Sequence, residues 1–224
     1  MRLSFQELTT QLEWNDSRRI NELVVENPKA MRRIIEDISS VANGDVSGAS
    51  IVDDNTAISP GMLDIIYDPI NLDFNDKRIV APMLKELLET SLNEGYYLST
   101  NEIKTEIIKY MNSIIFARDY DFGISMSDFS ITQLAKAVNL RIANDNKIDF
   151  VENIISYMKT MTELAGVRMF CFVGLRGYLS DAEYASFTED VYNLQINILL
   201  IEVYERPNVD KTKKTIVDGD LCEI

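Results

Sequence analysis

An α/β domain interrupted by a block of helices is the fold class this sequence predicts, and three observations carry the prediction. Residues 167–173 (VRMFCFV) and 196–203 (INILLIEV) are almost unbroken apolar runs, the pattern of strands buried on both faces. Between them Ser180 and Glu183 have the spacing of a capping box, opening a helix that carries Tyr184, Phe187, Val191 and Leu194. Strand, helix and strand at this spacing form a βαβ unit whose strands run parallel. Third, residues 71–147 change to helical spacing, so the head is assembled from both chain ends. The expected division is 1–70 with 149–224 for the head and 71–148 for the helical domain.

The elements follow in order. Leu3 and Phe5 alternate with polar neighbours as in a strand, and a second strand covers residues 20–25 after the turn-prone Asn15-Asp16-Ser17. Asn27-Pro28 is a helix start, with Asn as cap and Pro in the first turn, and Asn43-Gly44 is its stop. Residues 44–55 have loop character, and residues 62–67 form a buried strand closed by Asp68-Pro69. In the helical block, Met83, Leu84, Leu87, Leu88 and Leu92 make one stripe that stops at Gly95. Thr100 or Asn101 caps the next helix, with Ile103, Ile107, Ile108, Met111, Ile114 and Ile115 as its stripe. A third helix spans roughly residues 130–140, and a fourth carries Val151, Ile154, Ile155, Met158, Met161 and Leu164.

Composition removes several function classes. The 224 residues contain no histidine, which excludes Ser-His and Cys-His catalysis and the commonest zinc ligand. Cys171 and Cys222 are far apart and lack C-x-x-C spacing, so Cys171 is expected to be a buried thiol. No apolar run reaches the roughly 18 residues of a membrane span, and the opening MRLSFQELTTQLEW lacks a signal-peptide core. A cytoplasmic protein is expected. The formal charge of −14 disfavours an unpatterned nucleic-acid binder, although one basic surface suffices for phosphate contact.

Four groups of residues could carry chemistry. After the first apolar run comes Gly174-Leu175-Arg176-Gly177, which has the glycines of a phosphate-binding turn but no following Lys or hydroxyl residue. It is either a structural turn or the remnant of a nucleotide site. Residues 130–141 (SITQLAKAVNLR) resemble the first half of a helix-turn-helix, yet Ile142-Ala143-Asn144-Asp145-Asn146 has no recognition-helix character. Asp119, Asp121 and Asp128 flank a glycine-containing turn. They suit either Ca²⁺, which accepts irregular shells of oxygen ligands, or solvated helix caps; an EF-hand spacing is absent. Lys29, Arg32 and Arg33 on the first helix, and Lys136 and Arg141 on the third, are the densest basic positions before the tail.

The order of these elements resembles the Csn-two family of type II-A CRISPR systems over nearly the whole chain. The resemblance rests on the opening Met1, Leu3 and Phe5, on residues 62–75 (MLDIIYDPINLDFN), and on Leu134-Ala135-Lys136 with Leu140-Arg141-Ile142. It continues through the βαβ unit to the late IVDGDL. It implies an α/β head related in shape to P-loop ATPases without their phosphate machinery, and an α-helical leg. It also implies a non-catalytic homotetrameric ring whose channel holds double-stranded DNA entered from a free end, supported by Ca²⁺. The implied role is spacer acquisition beside the adaptation integrase complex and the guide-RNA nuclease. Lys136 and Arg141 match basic positions of the family. Its calcium region corresponds to Asp119, Asp121 and Asp128 and is poorer in glutamate here. A degenerate nucleotide-binding, NTPase-like enzyme is the alternative.

Overall fold

Strands β1 (Arg2–Phe5), β2 (Leu12–Glu13) and β3 (Ile20–Val25) come first, followed by helix α1 (Pro28–Asn43). Strands β4 (Ala49–Asp53), β5 (Thr56–Ala57) and β6 (Leu63–Ile66) precede helices α2 (Lys77–Ser91), α3 (Glu94–Phe116) and α4 (Ile131–Ala137). The chain ends with α5 (Phe150–Ala165), β7 (Met169–Val173), a 3-10 turn (Leu175–Gly177), α6 (Asp181–Leu194), β8 (Asn197–Glu202) and β9 (Thr212–Val217). This is a computed structural model, which describes residues 1–118, 122–143, 149–207 and 209–224. Two compact units result, Met1–Phe74 with Asp145–Ile224, and Asn75–Asn144. These divisions fall four residues inside the sequence-based limits of the helical domain at each end.

The first unit is an α/β head built on a five-stranded sheet ordered β6-β7-β8-β3-β9, every pair parallel. β3, from the start of the chain, lies between two strands from its end: Ile20 is opposite Ile198 on one side and Thr212 on the other. All six β3 residues are buried, and β7 and β8 are buried along all but one residue each, which explains why the two apolar runs scarcely alternate. On one face Leu23, Val25, Met169, Cys171, Leu199 and Ile201 share a core with Met31, Ile34 and Ile38 of α1 and with Leu3 and Phe5 of β1. On the other face Phe172 meets Phe187 of α6 edge to face, and Asp64 of β6 accepts a hydrogen bond from the Tyr157 hydroxyl of α5 at 3.0 Å.

The expected signals place α1 and α6 as read. Asn27 Oδ1 accepts from the amides of Lys29 and Ala30 at 3.0 and 3.2 Å, and Gly44 closes α1 in the left-handed region at φ +79°. Ser180 Oγ accepts from the Glu183 amide while Glu183 Oε2 accepts from the Ser180 amide at 2.8 Å, completing the capping box.

The loop expected over residues 44–55 is corrected. Residues 49–53 form β4, in a second, antiparallel sheet ordered β2-β1-β4-β5. Ala49 and Ile51 are buried and Ser50 is exposed, a period of two whose pairing partner, Phe5 to Arg2, lies more than forty residues away.

In the helical unit two boundaries move. The expected stop at Gly95 and cap at Thr100 or Asn101 are replaced by a start at Asn93, whose carbonyl accepts from the amides of Tyr96 and Tyr97 at 2.9 Å each. Gly95 falls in the first turn, outside the helix interior where glycine's backbone entropy costs most, and Glu94 there suits the helix dipole. Thr100 lies inside α3, its hydroxyl donating to Ser91 O at 3.2 Å. α4 ends at Ala137 rather than near 140, because Asn139 turns left-handed at φ +54°.

The α1 stop generates a prediction. A Cβ at Gly44 would lie 2.6 Å from Pro60 Cγ as well as demanding a left-handed backbone. Gly44→Ala is expected to destabilise by about 1–3 kcal/mol. For a chain of this length that lowers the melting midpoint by about 2–4 °C per kcal/mol. An unchanged calorimetric midpoint would contradict the stop.

Candidate nucleic-acid interface

The basic residues of α1 divide by their partners. Lys29 and Arg32 are exposed and have no side-chain partner among the described residues. Arg33 is also exposed, but its Nη1 is ion-paired with the Glu7 carboxylate, which cancels its charge locally. Sequence spacing put Arg33 with Lys29; the neutralising partner comes from the loop after β1.

In the helical unit Lys136 stands exposed in the last turn of α4, where a cation suits the helix C-terminus. Arg141 lies beyond the helix on the segment that follows the Asn139 turn, and its Nε donates to Asn139 Oδ1 at 3.0 Å. The two residues therefore flank a turn rather than sharing a helix face. Asn75 fixes that segment from the other end of the unit: its Oδ1 accepts from the Ile142 amide at 3.0 Å and its Nδ2 donates to Ile142 O at 3.3 Å. No helix begins within residues 138–143, so the second half of a helix-turn-helix does not follow α4 directly.

Of the three carboxylates weighed for Ca²⁺, Asp119 and Asp121 lie outside the described residues. Asp128 is exposed, 3.5 Å from Lys104 Nζ, and it accepts from the Phe129 amide at 2.8 Å. Among the described residues no group of three or more His, Cys, Asp or Glu side chains is placed to hold a metal.

Charge is unevenly distributed between the units. Residues 75–144 carry eight Lys and Arg against nine Asp and Glu, so almost all of the −14 belongs to the head. The helical unit also exposes apolar surface. α3 runs for 23 residues without burying one of them, and Tyr96, Leu98, Ile103, Tyr110, Ile114 and Phe116 are between 44% and 85% exposed. An open groove of about 540 Å³ within this unit is lined largely by apolar side chains, among them Leu87, Tyr96, Leu134, Val138 and Leu140.

The glycine turn of the head is bonded to a residue of the protein itself. Gly174 is left-handed at φ +77°, and the 3-10 turn after it aims the Arg176 amide at Glu202 Oε1, 2.9 Å away. Glu202 ends β8, so a carboxylate of the protein itself takes the place that a bound anion would have at such a turn. At the α1 N-terminus Asn27 occupies the first amides in the same way. Burial pushes the Glu202 carboxyl up to about 7, against the lowering effect of the Arg176 amide. Burial likewise raises Glu22 of β3, with Arg176 and Lys214 opposing. Neither glutamate stood out in sequence, and the one available signal was an acidic residue inside an apolar strand run. Both cysteines are free, Cys171 buried and Cys222 exposed, and burial pushes the Cys171 thiol far above its usual range.

Fold and site together define a parallel α/β head with a helical insertion, whose phosphate-type turn is closed by its own side chains. The model of a family described as CRISPR-associated protein (Cas_Csn2) matches residues 44–221, and the chain belongs to that family. No curated protein matches the sequence. Among solved structures it is similar to a Pyrococcus furiosus protein named "Putative ABC transporter (ATP-binding protein)". Identity is 8%, covering 96% of this chain and 97% of that one, with a TM-score of 0.42. No helix among the described residues is long and apolar enough to cross a membrane.

Proposed function

We propose that this CRISPR-associated protein is a non-catalytic binder of double-stranded DNA ends that acts in spacer acquisition as a homotetrameric ring. The observation that carries the reading is α3, a 23-residue helix with no buried residue and a long row of exposed Tyr, Ile and Leu side chains. Contiguous apolar surface of this kind is characteristic of an interface, and further copies of the chain would cover it. The near-neutral charge of the helical unit supports the same reading, because the acidic head is a poor neighbour for phosphate. Lys136 and Arg141, with Lys29 and Arg32, are the proposed DNA contacts; Arg33 is secondary because Glu7 pairs with it. The adaptation integrase complex and the guide-RNA nuclease are the proposed partners, in the cytoplasm.

Against the nucleotide-enzyme alternative stand the two filled amide sites at Asn27 and Glu202 and the lack of a lysine after the Gly174 turn. Calcium enters the proposal through Asp119, Asp121 and Asp128, as a cation relieving repulsion between acidic subunits.

Replacing Lys136 and Arg141 together by Glu is expected to leave the melting midpoint unchanged, since both side chains are exposed. Duplex affinity should fall at least tenfold, with the salt dependence shallower by about two. Fluorescence anisotropy reads both quantities, and unchanged binding by the folded double variant removes these residues from the interface. Light scattering before and after a chelator tests calcium. The expected outcome is a tetramer that dissociates on chelation and reforms with Ca²⁺ far better than with Mg²⁺, which demands a tighter octahedral shell. A tetramer indifferent to both removes the metal and leaves the ring.

A further inference from the structure

Three ionisable side chains meet beneath the 3-10 turn of the head, all essentially shut off from solvent: Glu22 and Glu202 are 1% and 5% exposed, and Arg176 is fully buried. They arrive from three elements. Glu22 is in the middle of β3, Glu202 ends β8, and Arg176 is held in the turn after β7. The Arg176 guanidinium lies 3.6 Å from the centre of the Tyr184 ring and donates from Nη2 to Pro207 O at 3.2 Å. Among the described residues its Nε and Nη1 have no hydrogen-bond acceptor, and Glu22 Oε1 has no donor. Tyr184 in turn shares a hydrogen bond with the Thr212 hydroxyl of β9 at 3.0 Å, in which either oxygen can be the donor.

The surrounding charges are few and mostly occupied. Lys214 of β9 is opposite Glu22 in the sheet register, but its ammonium is bonded to Glu205 at 3.1 Å and to Arg206 O. Glu205 adds a further negative charge and Arg206 a positive one at longer range. Around the turn, then, two buried carboxyls lie in the field of one buried guanidinium. Ionising both leaves a buried net charge of −1, whereas protonating one makes the site neutral. A buried uncompensated charge costs several kcal/mol, so the neutral form is favoured until the solution is alkaline enough to strip the proton. The two carboxyls repel each other, and the proton belongs to the pair rather than to one residue.

We propose that Glu22, Glu202 and Arg176 form a proton-sensitive element that stores one exchangeable proton in the folded head and couples the stability of the sheet to pH near neutrality. The sign follows from linkage. A carboxyl that keeps its proton in the folded state to a higher pH than when unfolded makes the folded state bind more protons between the two values. Stability is therefore greatest at the acid side of that window, falls as pH rises towards about 7, and levels off above it. The usual surface carboxylates have finished titrating below this range. Arg176 also reaches the segment after β8 through its hydrogen bond to Pro207 O.

The test uses the full chain at pH 5.5 to 8.5, with infrared detection of protonated carboxyl and parallel thermal melts. Wild type is expected to show one buried carboxyl losing its proton near neutrality and a midpoint that falls over the same interval. Glu202→Gln keeps an acceptor for the Arg176 amide but removes the proton site. It should abolish that infrared signal and melt above wild type at pH 8.5. Glu22→Gln leaves one carboxylate for one guanidinium and should likewise flatten the pH dependence. The double variant strands Arg176 without a counterion and should be less stable than either single variant at every pH. No carboxyl titrating in this range, or both single variants melting below wild type at pH 8.5 as after loss of an ordinary ion pair, overturns the proposal.

Discussion

The position of β3 is the constraint on which the head depends. A strand from residues 20–25 is hydrogen-bonded on one side to residues 197–202 and on the other to residues 212–217, so the five-stranded sheet is complete only when segments far apart in sequence have come together. Pairing over such separations carries a large loop-closure cost before any contact rewards it. The apolar runs that form β7 and β8 are the compensation. Buried on both faces, they supply hydrophobic contact to α1 and the small antiparallel sheet on one side and to α6 on the other. The helical unit interrupts the chain between β6 and β7, which are neighbours in the sheet with Leu63 opposite Met169, so the insertion costs the sheet no pairing.

A parallel sheet of this kind places its strand ends and following turns along one edge, where α/β proteins usually bind ligands. Here that edge is turned inward on itself. Asn27 takes the amides at the start of α1, Glu202 takes the amide of the Gly174 turn, and Arg176 is buried against Tyr184 instead of reaching solvent. The amides at both positions are hydrogen-bonded to the protein's own side chains. The exposed basic residues of α1 and of the α4 region, and the apolar length of α3, are left facing solvent.

Local signals made much of this legible. Asn27-Pro28 with Gly44, and Ser180 with Glu183, fixed α1 and α6 because a cap is a contact between near neighbours in sequence. β4 was missed because its period of two spans only three residues and becomes a strand through pairing with β1. Gly95 misled for the opposite reason: glycine usually ends a helix, but in the first turn it gives up little. At the site, exposure of Lys29, Arg32, Lys136 and Arg141 could be anticipated from their polar surroundings. Pairing of Arg33 with Glu7, and burial of Glu22, Glu202 and Arg176 together, depend on tertiary contacts that no spacing reports.

The central claim is that the protein encloses DNA rather than resting on it, and threading distinguishes the two. Filter binding of linear duplex and of relaxed closed circles of identical sequence, at matched salt, measures this directly. The account predicts retention of the linear form alone. That retention should be insensitive to sequence and fall by roughly 10³ or more between 50 and 200 mM salt if about six phosphates are contacted. Equal retention of closed circles would contradict enclosure.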